Sequence, residues 1–233
     1  MRRPILLLVA LVSGGALAWA PKLDNQSAKA VLDTAYNRTT QPVSTVLNID
    51  LSVKEGAFAT KDAVRVFDGD PGCLTSWAQD PSAYAQHGSR PTSVTLTGQA
   101  DELFLQAQQA RDSFKNLTVQ DALKPREGGL PEGHLRVYVG MAGLENEKLR
   151  DAYNVALRTP DGKIVQPYRR AFTSDWKQAG EGSARGRWSG SMVYYFDAAK
   201  AGLNATSKAD VLIRTEADND CAFAVGIDLA KFY

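Results

Sequence analysis

Apolar and polar positions alternate with a period of two along much of this chain. Over 43–53 every odd position except Thr45 is apolar (Val43, Leu47, Ile49, Leu51, Val53), and Ser44, Asn48, Asp50 and Ser52 stand between them. That spacing sends successive side chains to opposite faces and predicts a half-buried strand. A second strand is predicted over 63–67, stopped by the turn residues Asp68-Gly69-Asp70-Pro71-Gly72. Further strands are predicted over 93–97, 135–141, 152–158, 163–166, 192–196, 211–215 and 222–229. Pro160-Asp161-Gly162 forms a hairpin turn between two of them, and 197–203 a single helical turn. Helical spacing is clearest over 23–36, where Ala28, Val31, Leu32 and Ala35 fall on one face and Asn25 or Ser27 can cap the start. Residues 74–92, which hold Trp77, Tyr84 and His87, read as a long irregular loop. Residues 103–107 read as the return strand of a hairpin turning at Gly98-Gln99. Leu103, Phe104, Ala107, Ala110, Phe114 and Leu117 also fit a helix there.

The first eighteen residues break this pattern. Arg2 and Arg3 precede an unbroken apolar run over 5–12, after which Ser13, Gly14 and Gly15 interrupt it and Ala16 and Ala18 form an A-x-A signal. The run is far shorter than the ~20 residues a membrane span needs. A secretory signal peptide over 1–18 is therefore expected, cut after Ala18, with a mature domain over 19–233. A cut after Ala20 would place Pro21 directly behind the scissile bond, where its fixed φ fits an extended subsite poorly. An uncleaved anchor is the alternative. The expected compartment is the periplasm or the exterior, in association with the cell envelope.

Without Arg2 and Arg3, the 27 basic residues fall to 25, against 26 acidic ones. A near-neutral mature chain lacks the basic excess that nucleic-acid or membrane-surface binding requires. No second apolar run of spanning length follows, so a soluble product is expected. Its length suits one large β domain or two modules divided in the Pro/Gly-rich stretch 124–133. Cys73 and Cys221 are the two cysteines, and in an exported protein they read as one disulfide closing a long loop. Two buried thiols are the alternative.

Strands at this spacing, without long alternating helices, point to a β-rich antiparallel sandwich with minor helical segments. Four segments carry a resemblance: Tyr153-Asn-Val-Ala-Leu-Arg-Thr-Pro-Asp-Gly-Lys163, Gly190-Ser-Met-Val-Tyr-Tyr-Phe-Asp197, Asp210-Val-Leu-Ile-Arg214 and residues 223–228. Together they resemble the immunoglobulin-like sandwich domains of bacterial secreted proteins, in which an Asp-Gly hairpin precedes a Gly-x-apolar-Phe-Asp strand. The resemblance covers about the last hundred residues. It implies binding or scaffolding rather than catalysis, and the Cys–Trp–Cys spacing of antibody domains is absent.

Candidate chemistry is sparse. His87 and His134 are the two histidines, no Gly-x-Ser-x-Gly elbow occurs, and Gly182-Ser183-Ala184-Arg185-Gly186 reads as a loop. A carboxylate-dependent hydrolase stays open as an alternative, although nothing singles out a pair. Asp68-Gly-Asp70 and Asp218-Asn-Asp220 offer oxygen ligands for Ca2+, each beside a cysteine, but neither fits an EF-hand loop. No other cofactor is indicated. The remaining surface signal is 163–190, where Lys163, Arg169, Arg170, Lys177, Arg185 and Arg187 mingle with Tyr168, Phe172, Trp176 and Trp188. Exposed aromatics beside arginines can stack on sugar rings or grip a protein. Tyr168, Arg169, Arg170, Trp176, Arg185, Arg187 and Trp188 are therefore the candidate contacts to an envelope protein or polysaccharide. The alternative is that Trp176 and Trp188 are core residues and the charges a solvated loop.

Overall fold

The computed structural model describes residues 18–182, 184–217 and 220–233. The expected export signal, apart from Ala18, lies outside them, as does Asp218. The first half of the chain runs α1 (Asn25–Ala35), β1 (Val46–Asp50), β2 (Val53–Lys54), β3 (Ala57–Phe58), β4 (Val64–Asp68), α2 (Gly72–Gln79), α3 (Tyr84–His87), β5 (Arg90–Thr97), α4 (Gln99–Asp112) and α5 (Val119–Ala122). The second half runs β6 (His134–Leu144), β7 (Asn154–Arg158), β8 (Ile164–Val165), β9 (Arg169–Phe172), β10 (Lys177–Gln178), β11 (Trp188–Asp197), β12 (Lys208–Arg214) and β13 (Ala222–Asp228).

These strands build two antiparallel sheets. One has the order β1-β5-β6-β11, with β9 and β10 both paired to the far side of β11. The other has the order β4-β13-β12-β7-β8. The alternation seen in the sequence is the reason they meet. Val94 and Leu96, Val137 and Val139, and Met192, Tyr194 and Phe196 face inward from the first sheet. Val155, Leu157, Val211, Ile213, Phe223 and Val225 do so from the second, and all join one buried cluster. β4 and β5 precede the 124–133 stretch and pair with β13 and β6, which follow it.

A smaller cluster lies between helices. Ala28, Val31, Leu32 and Ala35 of α1 pack with Ala100, Leu103 and Ala107 of α4. The expected hairpin at 98–107 is thus a helix. Gly98 is extended at its start, Asp101 and Glu102 occupy the first turn and Arg111 the last, all favourable to the helix dipole. The apolar face of α1 decides for the helix, because a helix is held mainly by packing one face. α1 is capped by Asp24, one residue earlier than expected. Its carboxylate accepts from the Ser27 backbone N–H at 2.7 Å, and the Ser27 hydroxyl accepts from the Asp24 N–H in return.

The expected loop over 74–92 is also partly helical. Cys73 lies in α2 and is bonded to Cys221, with Cα atoms 6.5 Å apart. That bridge holds Trp77 inward, where it meets Phe58 and Phe223 edge-on at 5.0 and 4.9 Å between ring centres. The chain between β4 and α2 packs directly on Asp220. A side chain at Gly69 (φ +106°) would collide with the Asp220 carbonyl oxygen. The bridge therefore brings the regions of the two acidic runs together, as expected.

A buried polar chain braces the same end. The Ser89 backbone N–H donates to Glu216 Oε1 at 2.9 Å, and its hydroxyl donates to Oε2 at 2.5 Å. The Tyr153 hydroxyl lies 2.5 Å from the Ser89 oxygen. Burial, with the nearby Glu216 charge second, pushes the Tyr153 phenol well above its ordinary pKa. An unfolded tyrosine ionises near pH 10, so between there and the higher folded value the unfolded chain has released a proton that the folded chain retains. This contribution is complete below about pH 10 and is lost as pH rises through the folded value. Urea unfolding from pH 9 to 11 should therefore show a steeper loss of stability in the wild type than in Tyr153→Phe. Equal slopes would contradict the burial of this phenol.

Candidate functional site

The outward positions of the six-stranded sheet form a broad face. Strand register sets Val46, Thr97, Arg136, Tyr195 and Arg169 in one row across β1, β5, β6, β11 and β9. Asn48, Thr95, Tyr138, Val193 and Ala171 form the next row, with Thr97 and Val193 themselves buried within the two rows. Four strand spacings span about 19 Å. Arg136 and Arg169 both lie over the Tyr195 ring, 5.7 and 4.9 Å from its centre. Tyr168 stands beside them with its ring edge-on to His134 at 5.2 Å and 6.2 Å from that of Tyr195. Tyr168 is 54% exposed, so an aromatic surface is presented rather than buried.

Helix α4 borders this face. Glu102 is bonded to Arg136, and Asp101 accepts from the Thr45 hydroxyl at 3.1 Å. Burial pulls the Arg136 guanidinium downward, but the Glu102 charge and hydrogen bond outweigh it, so its pKa lies above the ordinary value. Burial raises the Asp101 carboxyl. It likewise raises the Tyr138 and Tyr168 phenols, leaving both neutral and able to donate or accept hydrogen bonds.

The aromatic-basic segment picked out in the sequence divides in space. Tyr168 and Arg169 belong to the face just described. Arg170, on the next register position, turns the other way and donates to the Asp151 carbonyl at 2.9 Å. Trp176 and Trp188 are half-buried and pack against the core. Trp176 lies flat over Gly190, where a Cβ would come within 2.5 Å of its ring, and its Nε1–H donates to the Ser191 carbonyl at 3.1 Å. Arg150 stacks on Phe172 and Trp176, 3.8 and 4.9 Å from their centres. Arg187 donates to the Gly143 carbonyl at 2.9 Å, and Arg185 is exposed in a short bridge to Ala179. Trp176, Trp188, Arg170 and Arg187 thus close one edge of the fold.

Arg136, Tyr138 and Tyr195 were not singled out by sequence. Their signal was the polar phase of two predicted strands, outward positions alternating with Leu135, Val137 and Val139 or with Tyr194 and Phe196. Of the histidines, His134 joins the face, whereas His87 lies in α3 with its carbonyl accepting from Arg90. In the acidic runs, Asp68 pairs with Arg214 at 3.1 Å and Asp70 accepts from the Gly72 N–H at 2.8 Å. Among the described residues, no group of three or more His, Cys, Asp or Glu side chains is placed to hold a metal ion. None of the helices among the described residues is long and apolar enough to cross a membrane.

The chain matches no protein-family model, no curated protein and no solved structure.

Proposed function

We propose that this chain is an exported, non-enzymatic envelope protein with an immunoglobulin-like sandwich, and that it binds a polysaccharide across the outer face of its six-stranded sheet. The carrying observation is the exposed Tyr168 ring beside Tyr195, itself flanked by Arg136 and Arg169. Sugars present apolar ring faces rimmed with hydroxyls. Tyr168 offers a surface for the first, and Arg169, Tyr138, Thr95 and Asn48 offer hydrogen-bonding groups for the second. Export is supported by the leader pattern and by the Cys73–Cys221 bridge, which suits an oxidising compartment.

The test uses the exported chain against polysaccharide extracted from its own envelope, measured by calorimetry. Tyr168→Ala with Arg169→Ala should weaken binding at least about tenfold, the equivalent of about 1.4 kcal/mol. The thermal midpoint should move little, because both residues are exposed. Unchanged affinity would refute this reading, as would capture of a protein with no polysaccharide binding. The neighbouring pair Trp176 and Trp188 is unsuitable for this purpose, since truncating either removes packing from the core edge.

A further inference from the structure

A second site lies at the end of the five-stranded sheet, beside the outer edge of β1. It is an open cleft of about 740 Å³. Five cations line it: Lys61, Arg65, Arg158, Lys208 and Lys231. Against them stand Asp62, Asp210 and Asp228. On a chain whose mature charge is near zero, this is a local basic excess.

Its floor is more ordered than a scatter of lysines. Asp210 projects from β12 with its side chain only 8% exposed. One carboxylate oxygen is bonded to Arg65, and the other accepts from Arg158 Nε at 2.9 Å and Nη2 at 2.5 Å. Arg65 comes from β4 and crosses β13 to reach it. The crossing point is Gly226, where a Cβ would lie 3.7 Å from Arg65 Nη1. Arg158 also lies over the Phe67 ring, 5.0 Å from its centre, which fixes the guanidinium further. One carboxylate therefore holds two guanidiniums in place but neutralises only one. Nε and Nη1 of Arg65 and Nη1 of Arg158 donate to no acceptor among the described residues. Asp228 offers little compensation, because its Oδ1 already accepts from the Ala230 N–H at 3.1 Å.

We infer that this cleft binds an oxyanion, the phosphate or carboxylate group of an acidic ligand, on the outward N–H groups of Arg65 and Arg158 with Lys208 and Lys231 beside them. Forked guanidinium donors held at fixed positions match the paired oxygens of either group. Pre-organisation by Asp210 removes much of the side-chain ordering cost of binding.

The test is titration of the exported chain at low ionic strength with two probes, inorganic phosphate and an oligogalacturonate, followed by amide chemical shifts. Saturable shifts are expected around Arg65, Arg158, Asp210 and Gly226 with at least one probe. Binding of phosphate alone assigns a phosphate-bearing ligand, and binding of oligogalacturonate alone a carboxylate-bearing one. Arg65→Gln, and separately Lys208→Gln with Lys231→Gln, should each weaken binding about fivefold. No saturable binding of either probe overturns the inference, as does a folded Arg65→Gln chain that binds both probes as tightly as wild type.

Discussion

Reduction of the Cys73–Cys221 bridge should lower the thermal midpoint by roughly 10–20 °C. The two cysteines are 148 residues apart, so the bond closes most of the chain into one loop. On the chain-entropy model, a loop of that size restricts the unfolded ensemble by about 5 kcal/mol. For a domain near two hundred residues, each kcal/mol shifts the midpoint by about 2–4 °C. The bridge also ties α2 to the start of β13, and Trp77 depends on that tie to meet Phe58 and Phe223. Scanning calorimetry of the wild type, with and without reductant, against Cys73→Ser with Cys221→Ser checks this. The reduced wild type and the double variant should melt together. A shift under about 3 °C would mean that packing alone holds the two ends.

Trp19→Ala should cost about 3–5 kcal/mol, the usual range for deleting a buried indole. Trp19 is 1% exposed, and its backbone N–H donates to the Leu229 carbonyl at 2.7 Å. Gly98 lies against its ring, where a Cβ would approach Nε1 to 3.1 Å. A chain beginning at Pro21 should lose as much, because it lacks the same ring and the same hydrogen bond. This bears on the proposed export cut, since a break after Ala18 keeps Trp19 and one after Ala20 discards it. Urea unfolding at unchanged m-value measures the loss, and Trp19→Phe should recover part of it. A change below about 1 kcal/mol would show that the core closes without Trp19.

How much of this was legible in advance depended on the range of the interaction that decides each feature. β1, β4, β5, β6, β11, β12 and β13 overlap the strands predicted from alternation, because facing a core is a property each strand carries in its own residues. α1 was legible for the same reason, at a period of 3.6. At 99–112 two periods were compatible with the residues. The apolar face of α1, about seventy positions earlier, decided for a helix. Over 72–87 the polar and small residues concealed two helices, the first of them tied by Cys73 to Cys221. The candidate site was legible only in fragments. Tyr168 and Arg169 stood out as neighbours in sequence, but Arg136, Tyr138 and Tyr195 join them solely through cross-strand register. The same register sent Arg170 to the opposite side of its strand and left Trp176 and Trp188 packed against the core.

The sequence by itself determined the β-rich character, the antiparallel pairing, the cysteine pair and the near balance of charge. Each is a matter of composition or of local period, and needs no knowledge of distant neighbours. The tertiary structure alone decided the shared face of Tyr168, Tyr195, Arg136 and Arg169, and the meeting of Arg65 and Arg158 on Asp210. Those groups come from strands far apart in the chain. Their placement depends on which edges pair and in which register, and that is settled by the burial of the whole core rather than by any segment within it.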